Sequence, residues 1–431
     1  MTGAVGILGR FSANAIGAGR RIAAAGGGFA LWAFAIRVSA AALAFLTQIV
    51  LARLVGEEAY GEVAAAITVL GVVVAIAVLG LDTAAQRFVA HYRVEGDLAS
   101  LRGFMRAARL APLLLGCVIG AIGSAMTWNA DPVLSLAFVM LPFVAVLLAQ
   151  EGIAKAFDWP VVALGPNFLL RPVLALGLVL GAAGLGVGLD ASVVILAMLV
   201  AALVALLVQT AIVAPRIRAV VPAGERRYHL RSWGLVVSPI VVGDIGALVA
   251  TSVDVIALSL TRPAEEVGIY FAAVKSLALV QFVAYAVSNA VAHRVSALHV
   301  AGDRAALRRM VVRACLATFV PSVAFAAALV ALGPFVLGLF GEAFVAAWPA
   351  MAIVAAGAVI LAAVGPAERV LNMIGKEREC ALVYVATAFV ATLLAFWLAP
   401  LHGPVGAAIA LSAGMVFEAL ALAFVLRRAL A

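Results

Sequence analysis

Long apolar runs alternate with short polar turns along the whole chain. A helix crossing about 30 Å of hydrocarbon needs roughly 20 consecutive apolar residues. Runs of that kind fall at 29–54, 61–90, 104–128, 132–157, 160–182, 190–214, 233–260, 267–297, 308–332, 349–374, 379–399 and 404–427, and they predict twelve helices. Gly56, Pro132, Pro160, Pro263, Pro334 and Pro404 punctuate the turns. Residues 1–28 contain Arg10, Arg20 and Arg21 and read as a cytoplasmic tail. The apolar run after them is longer than the ~7–15 residues of a signal core, so it is expected to stay as the first helix.

The runs form a repeat. GEEAYGEVAAA (Gly56–Ala66) aligns with PAEEVGIYFAA (Pro263–Ala273), which sets Glu58 on Glu265 and Gly61 on Gly268. EGDLASLR (Glu95–Arg102) aligns with AGDRAALR (Ala301–Arg308), and Arg87 falls on Arg294. An offset that holds at about 207 positions across these blocks marks an internal duplication. It divides the chain into an N-lobe at 29–214, an inter-lobe cytoplasmic loop at 215–232 and a C-lobe at 233–428, with six helices per lobe. Six is even, so both lobes enter the membrane in the same direction. Parallel repeats of this kind are related by a pseudo-two-fold axis along the membrane normal, and the substrate path runs between them. The predicted fold class is therefore an all-α polytopic membrane protein.

Composition sharpens this. Apolar residues make up 66% of the chain and charged residues 12%, with a mean hydropathy of +1.19. A soluble domain is nearer half apolar and about a quarter charged, so lipid is the solvent here. The net charge of +8 is spread over short loops rather than gathered in a patch, which excludes nucleic acid as a partner. VPAGERRYHLR, HRVSALHVAGDRAALRR, GKERE and RRALA are basic, whereas VGEEAYG and TRPAEEV are not. By the positive-inside rule both termini are cytoplasmic.

Nothing points to catalysis. Cys117, Cys315 and Cys380 lie in or beside apolar runs and read as small core residues. His91, His229, His293, His299 and His402 lack metal-ligand spacing, so neither metal nor cofactor is expected. GAAGLGVG (Gly181–Gly188) follows no strand and precedes no Lys, so it is a turn and not a phosphate loop. The longest loop, about 17 residues, leaves no room for a catalytic domain.

Charges inside the spans are the candidate chemistry, because each costs about 2.5–3.5 kcal/mol at the bilayer centre on insertion scales. Arg37 lies roughly 12 Å into the first helix, with Ala41, Ala44 and Gln48 on the same face. Arg171 sits between Pro166 and Pro172, where a broken helix would line a cavity. Lys275 lies within the eighth helix. Arg37, Gln48, Arg171 and Lys275 are candidate contacts for a diphosphate, Arg as a planar fork and Lys as a point charge; a structural ion pair is the alternative for Arg37.

The repeat sets Asp244 opposite Arg37 and Asp254 opposite Thr47. With no nucleotide-binding loop, Asp244, Asp254 and Glu418 are the candidate coupling sites for H⁺ or Na⁺; a permanent Arg37–Asp244 pair and a buried protonated Glu418 are the alternatives. Asp82, Arg87 and Arg294 are inner-gate candidates, and Glu368 and Arg369 are expected to snorkel or pair.

The stretches QIVLARLVGEEAYGEVAAA, GLDTAAQRFVAHY, EEVGIYFAAVKSLALV, PFVLGLFGEAFVAAWPAM and LNMIGKERE, in this order, resemble the polysaccharide-biosynthesis flippases of oligosaccharide and O-antigen units. Their superfamily also holds the multidrug and toxin extrusion transporters and the lipid II flippases, the latter typically with two further helices. The resemblance implies a flippase that carries undecaprenyl-diphosphate-linked oligosaccharides to the outer leaflet of a bacterial inner (plasma) membrane. Polysaccharide polymerase and chain-length proteins are the partners it implies. One rival is a drug/cation antiporter, which would want an anionic cavity where Arg37, Arg171 and Lys275 lean cationic. Another is a glycan polymerase or ligase, which would want a large outer loop carrying Arg and His.

A topology reporter fused after Glu58 or Glu265 is expected to read as external, and one after Arg227 or Gly302 as cytoplasmic. Either pair on the opposite side would overturn both the orientation and the repeat.

Overall fold

The structure, a computed structural model, describes residues 4–277 and 303–430 together with Val287, Val295 and Leu298; side chains are described from Ser39 onward, Pro239 excepted. The N-terminal half contains α1 (Ala4–Val78), α2 (Leu81–Glu95), α3 (Leu98–Thr127) and α4 (Pro132–Ala156). It continues through α5 (Pro160–Gly165), a π-helical turn at Pro166–Leu170, α6 (Arg171–Gly184) and α7 (Ala191–Val220). The C-terminal half contains α8 (Leu230–Ala250), α9 (Val253–Thr261), α10 (Ala264–Ser276), α11 (Arg304–Ala331) and α12 (Gly333–Gly338). After a 3₁₀ turn at Ala343–Ala347 come α13 (Trp348–Ala363), α14 (Ala367–Met373) and α15 (Glu377–Leu430).

Among the described residues, nine helical stretches are long and apolar enough to cross a membrane. Two of them fold back on themselves. In a straight helix Gln48 and Tyr60 would lie about 18 Å apart, yet the Tyr60 hydroxyl donates to Gln48 Oε1 at 2.7 Å. The reversal is at Gly56, whose φ of 79° is a conformation that glycine adopts without a Cβ penalty. In α15 the reversal is at Gly403 (φ 56°), and beyond it Gly406 packs on Leu398 and Gly414 on Ala391. Of the expected eighth span α10, Leu277, Val287 and Val295 are described; Arg294, His293 and His299 lie outside the described residues.

Two boundaries differ from expectation. Helical backbone runs without a break from Ala4 into the first span. Pro215 lies inside α7, which runs on to Val220 and shortens the inter-lobe connection to 221–229.

The repeated Gly-Asp of the opening sequence blocks is an N-cap. Asp97 accepts from Ser100 N–H at 3.0 Å to start α3, and Asp303 accepts from Ala306 N–H at 2.8 Å to start α11. Each carboxylate satisfies one of the orphan donors of a helix start. At this basic end of the molecule the connection 221–229 lies against the start of α3. Arg227 N–H bonds to Ala99 O (3.0 Å), Arg102 to Glu225 O (2.5 Å), and Ser100 to His229 Nε2 (2.9 Å). Hydrogen bonding from Ser100, with Arg227 at 3.9 Å adding to it, holds the Asp97 carboxyl below the usual carboxylate range. Trp233 then anchors α8 between Phe88 and Phe104, its indole N–H donating to Tyr92 at 2.8 Å.

At the far end, which carries Glu58 and Glu265, the lobes cross at two glycines. A Cβ on Gly61 would overlap the carbonyl of Ala264, and one on Gly268 would overlap the carbonyl of Glu57. Each partner is the repeat equivalent of the other, so the contact is self-complementary, as a two-fold axis requires. Glycine alone lets the backbones approach this closely. The largest buried apolar cluster surrounds the crossing and draws on both lobes, with Tyr60, Val63, Tyr270 and Phe271 among its members.

Gly61→Val and Gly268→Val are therefore expected to lower the melting temperature in detergent to a similar extent, each by the ~1–3 kcal/mol of core overpacking. Gly177→Ala, with nothing within 4 Å of its Cβ position, is expected to leave it unchanged. Unequal effects at 61 and 268 would contradict a shared axis.

Candidate functional site

Between the crossing and the basic end the lobes part to leave a cavity of about 630 Å³. The N-lobe contributes the Gly71–Val78 side of α1 and the start of α2; the C-lobe contributes α8, α13 and both arms of α15. Helix α1 ends at Val78, and Leu79 and Gly80 take left-handed φ values of 55° and 61° before α2 begins. That break aims Asp82, in the first turn of α2, at the cleft. Gly80 there packs against Ile240 and Val241 of α8.

Three carboxylates line this cavity: Asp82, Asp244 and Glu418. Asp244 lies within electrostatic reach of Asp82 and of Glu368, and Glu418 within reach of Glu368. Tyr384 and Thr387 of α15 line it too, and the buried Thr387 hydroxyl has no partner among the described residues. No described Lys or Arg lines the cavity. Asp82 faces the cleft, whereas Arg87 is exposed and does not line it. Glu368 accepts from Asn372 at 3.5 Å and makes no ion pair with Arg369.

The other expected site residues are dispersed. Arg37 is in α1, but its side chain lies outside the described ones, and so does any Arg37–Asp244 pair. Arg171 begins α6 directly after the π turn, and that turn aligns it with Asn167. Arg171 donates to Asn167 Oδ1 (3.3 Å), Asn167 donates to Glu151 Oε2 (3.1 Å), and Glu151 Oε1 pairs with Lys155 at 2.6 Å. This polar chain runs within the N-lobe. Sequence reading missed Glu151 and Lys155, which sit i, i+4 on α4, a spacing that could have exposed the pair. It also missed Arg109, two of whose buried guanidinium nitrogens have no partner among the described residues.

Lys275 stands apart from Arg171, in the other lobe, with Nζ 4.7 Å from the centroid of Phe271. Electrostatically it reaches Asp254, which is 1% exposed. The Tyr270 hydroxyl donates to Asp254 Oδ2 at 2.5 Å, while Oδ1 has no partner among the described residues. The repeat equivalent of Asp254, Thr47, is likewise buried with an unpartnered hydroxyl. Gln48 is committed to Tyr60, on the far-end side of the cleft.

A family model described as polysaccharide biosynthesis protein matches residues 30–296, more than half of the chain. The chain belongs to this family. With nine apolar helical stretches among its described residues, it is a multi-pass membrane protein of that family. No curated protein sequence gives a significant match.

Solved structures support the same fold for this polysaccharide-biosynthesis family member. A lipid II flippase MurJ in an inward closed conformation superposes with a TM-score of 0.65 at 15% identity, over 91% of this chain and 87% of that one. An inward-facing multidrug resistance transporter of the MATE family gives 0.68 at 14% identity, over 92% of this chain and 98% of that one. A point mutant of the Vibrio cholerae MATE transporter VcmN gives 0.65 at 14% identity, over 94% and 98%. At such identities the likeness establishes the fold alone, over more than nine-tenths of this chain.

Proposed function

We propose that this protein flips undecaprenyl-diphosphate-linked oligosaccharide units from the cytoplasmic to the outer leaflet of a bacterial inner membrane by ion-gradient-driven alternating access. The family match over 30–296, on a fold with a cavity of about 630 Å³ between its two halves, carries this reading. The basic loops assign their end of the molecule to the cytoplasm. Arg37, Arg171 and Lys275 are the proposed diphosphate contacts. Arg171 and Lys275 belong to different lobes, so the headgroup would change hands as the lobes rock.

The acidic cleft supplies the reason for coupling. Two unit charges about 8 Å apart at an effective dielectric near 20 interact by about 2 kcal/mol. A diphosphate passing Asp82, Asp244 and Glu418 meets several such repulsions unless protons or Na⁺ neutralise the carboxylates first. Loading cargo and loading cations thereby become one event. Asp254, sealed behind Tyr270, serves the same exchange only when the far end opens.

A second reading, a drug/cation antiporter, is favoured by one observation: the carboxylates lining the described cavity would suit an organic cation.

In a strain lacking its own glycan flippase, Arg37→Gln and Lys275→Gln are expected to abolish surface-glycan export at normal membrane levels. Arg37→Lys should restore it in part, because the planar fork is lost. Asp244→Asn and Glu418→Gln should uncouple export from the ion gradient. Full export by both neutral variants, together with gradient-driven uptake of an organic cation into proteoliposomes, would overturn the flippase reading in favour of the antiporter.

A further inference from the structure

The far-end seal contains a residue that the transport reading has not used. Arg53 lies three positions before the Gly56 reversal, and its side chain reaches across to the other lobe. Nε donates to Leu339 O at 2.5 Å and Nη2 to Gly338 O at 3.0 Å. These two carbonyls stand at the carboxyl end of α12, where a helix leaves its acceptors without intrahelical donors. Glu57 and Glu342 border the same small cavity, about 260 Å³, yet neither pairs with the guanidinium.

The segment that Arg53 holds is an apolar plug. Phe340 packs edge-on against Phe45 of the N-lobe at 5.8 Å between centroids, and Phe344 against Tyr60 at 5.8 Å. The two plug rings lie 5.9 Å apart, and Tyr60 also meets Phe271 at 6.0 Å. Buried behind the plug are the Thr47 hydroxyl and Asp254 Oδ1, neither with a partner among the described residues. Apolar ring contacts are non-directional and can slide as lobes rotate. Guanidinium–carbonyl bonds are directional and are lost within a small displacement. The far end therefore cannot part while both Arg53 bonds remain.

We propose that Arg53 is the latch of the far-end gate, holding the Gly333–Ala347 plug against the first hairpin until cargo and cations are loaded at the other end. The assignment rests on the transporter reading but not on the identity of the cargo. A latch acts on the equilibrium between cleft-open and far-end-open states, so removing it must shift both ends in opposite senses. A loop pin would loosen only its own end.

The test uses the full chain in membranes with Cys117, Cys315 and Cys380 replaced by Ala, and a single reporter cysteine at Thr47→Cys (behind the plug) or Ala247→Cys (in the cleft). A membrane-impermeant maleimide is applied to the external face for the first reporter and to the cytoplasmic face for the second. Arg53→Ala is expected to raise the Thr47→Cys labelling rate at least threefold and to lower the Ala247→Cys rate by a comparable factor. Arg53→Lys, able to reach one carbonyl only, should fall between. Faster external labelling with unchanged cleft labelling would reduce Arg53 to a local pin and overturn the proposal. So would no change at either reporter, or a rise at both with a lowered melting temperature, which would signal a loosened fold. A failed glycan-export assay would leave these rates untouched, so the two ideas fail separately.

Discussion

Two backbones in contact at Gly61 and Gly268 set the rest of this molecule. Without side chains there, the second arm of α1 and the start of α10 meet carbonyl to glycine on the pseudo-two-fold axis. That crossing closes the far end and gathers Tyr60, Phe271 and the plug rings Phe340 and Phe344 around it. With the lobes pinned at one end, their divergence towards the other leaves the cleft. A rocking motion has to pivot near, or break, this contact, and the interactions placed around it divide into two kinds. Apolar packing tolerates rotation; the Arg53 bonds do not.

The electrostatics follow from where the polar groups fall relative to that crossing. Asp82, Asp244 and Glu418 face the open cleft, where water can hydrate them. Asp254 is sealed among apolar residues with a single hydroxyl donor, and Lys275 is the nearby cation. A carboxylate shut away from water is costly unless it is paired, protonated or cation-bound. The cleft carboxylates and Asp254 thus differ in their access to water. The basic end is tied differently, by the 221–229 connection lying on the α3 start and by Trp233 between Phe88 and Phe104. These contacts hold the start of α8 to the N-lobe while Gly243 and Gly246 hold its middle to α15.

Much of the fold was legible in the sequence, because a lipid solvent makes apolar run length nearly sufficient to place spans. The duplication was legible for a sharper reason. Gly61 and Gly268 repeat because both sides of one contact need glycine, and Asp97 and Asp303 repeat because both cap a helix. The site was much less legible. Arg171 was legible as an intramembrane cation beside a broken helix, but not its bonding through Asn167 to Glu151. Asp82 was legible as a charge near the inner end of its span, but not the left-handed break at Leu79–Gly80 that turns it into the cleft. Both details arise from local departures from α-helical geometry, which apolar periodicity does not record. Arg53 escaped notice because its partners are backbone carbonyls some 285 positions away, and no side-chain pattern encodes those.

The central claim is that far-end closure and cleft opening are two aspects of one lobe rotation about the Gly61–Gly268 contact. Double electron–electron resonance on two spin-label pairs tests it most directly: Glu58 with Glu265 at the far end, and Arg87 with Arg378 at the basic end. Adding a lipid-linked oligosaccharide with an imposed ion gradient should lengthen the first distance and shorten the second in the same sample fraction. Two distances that rise together, or a far-end distance that changes while the basic end stays fixed, would contradict the account.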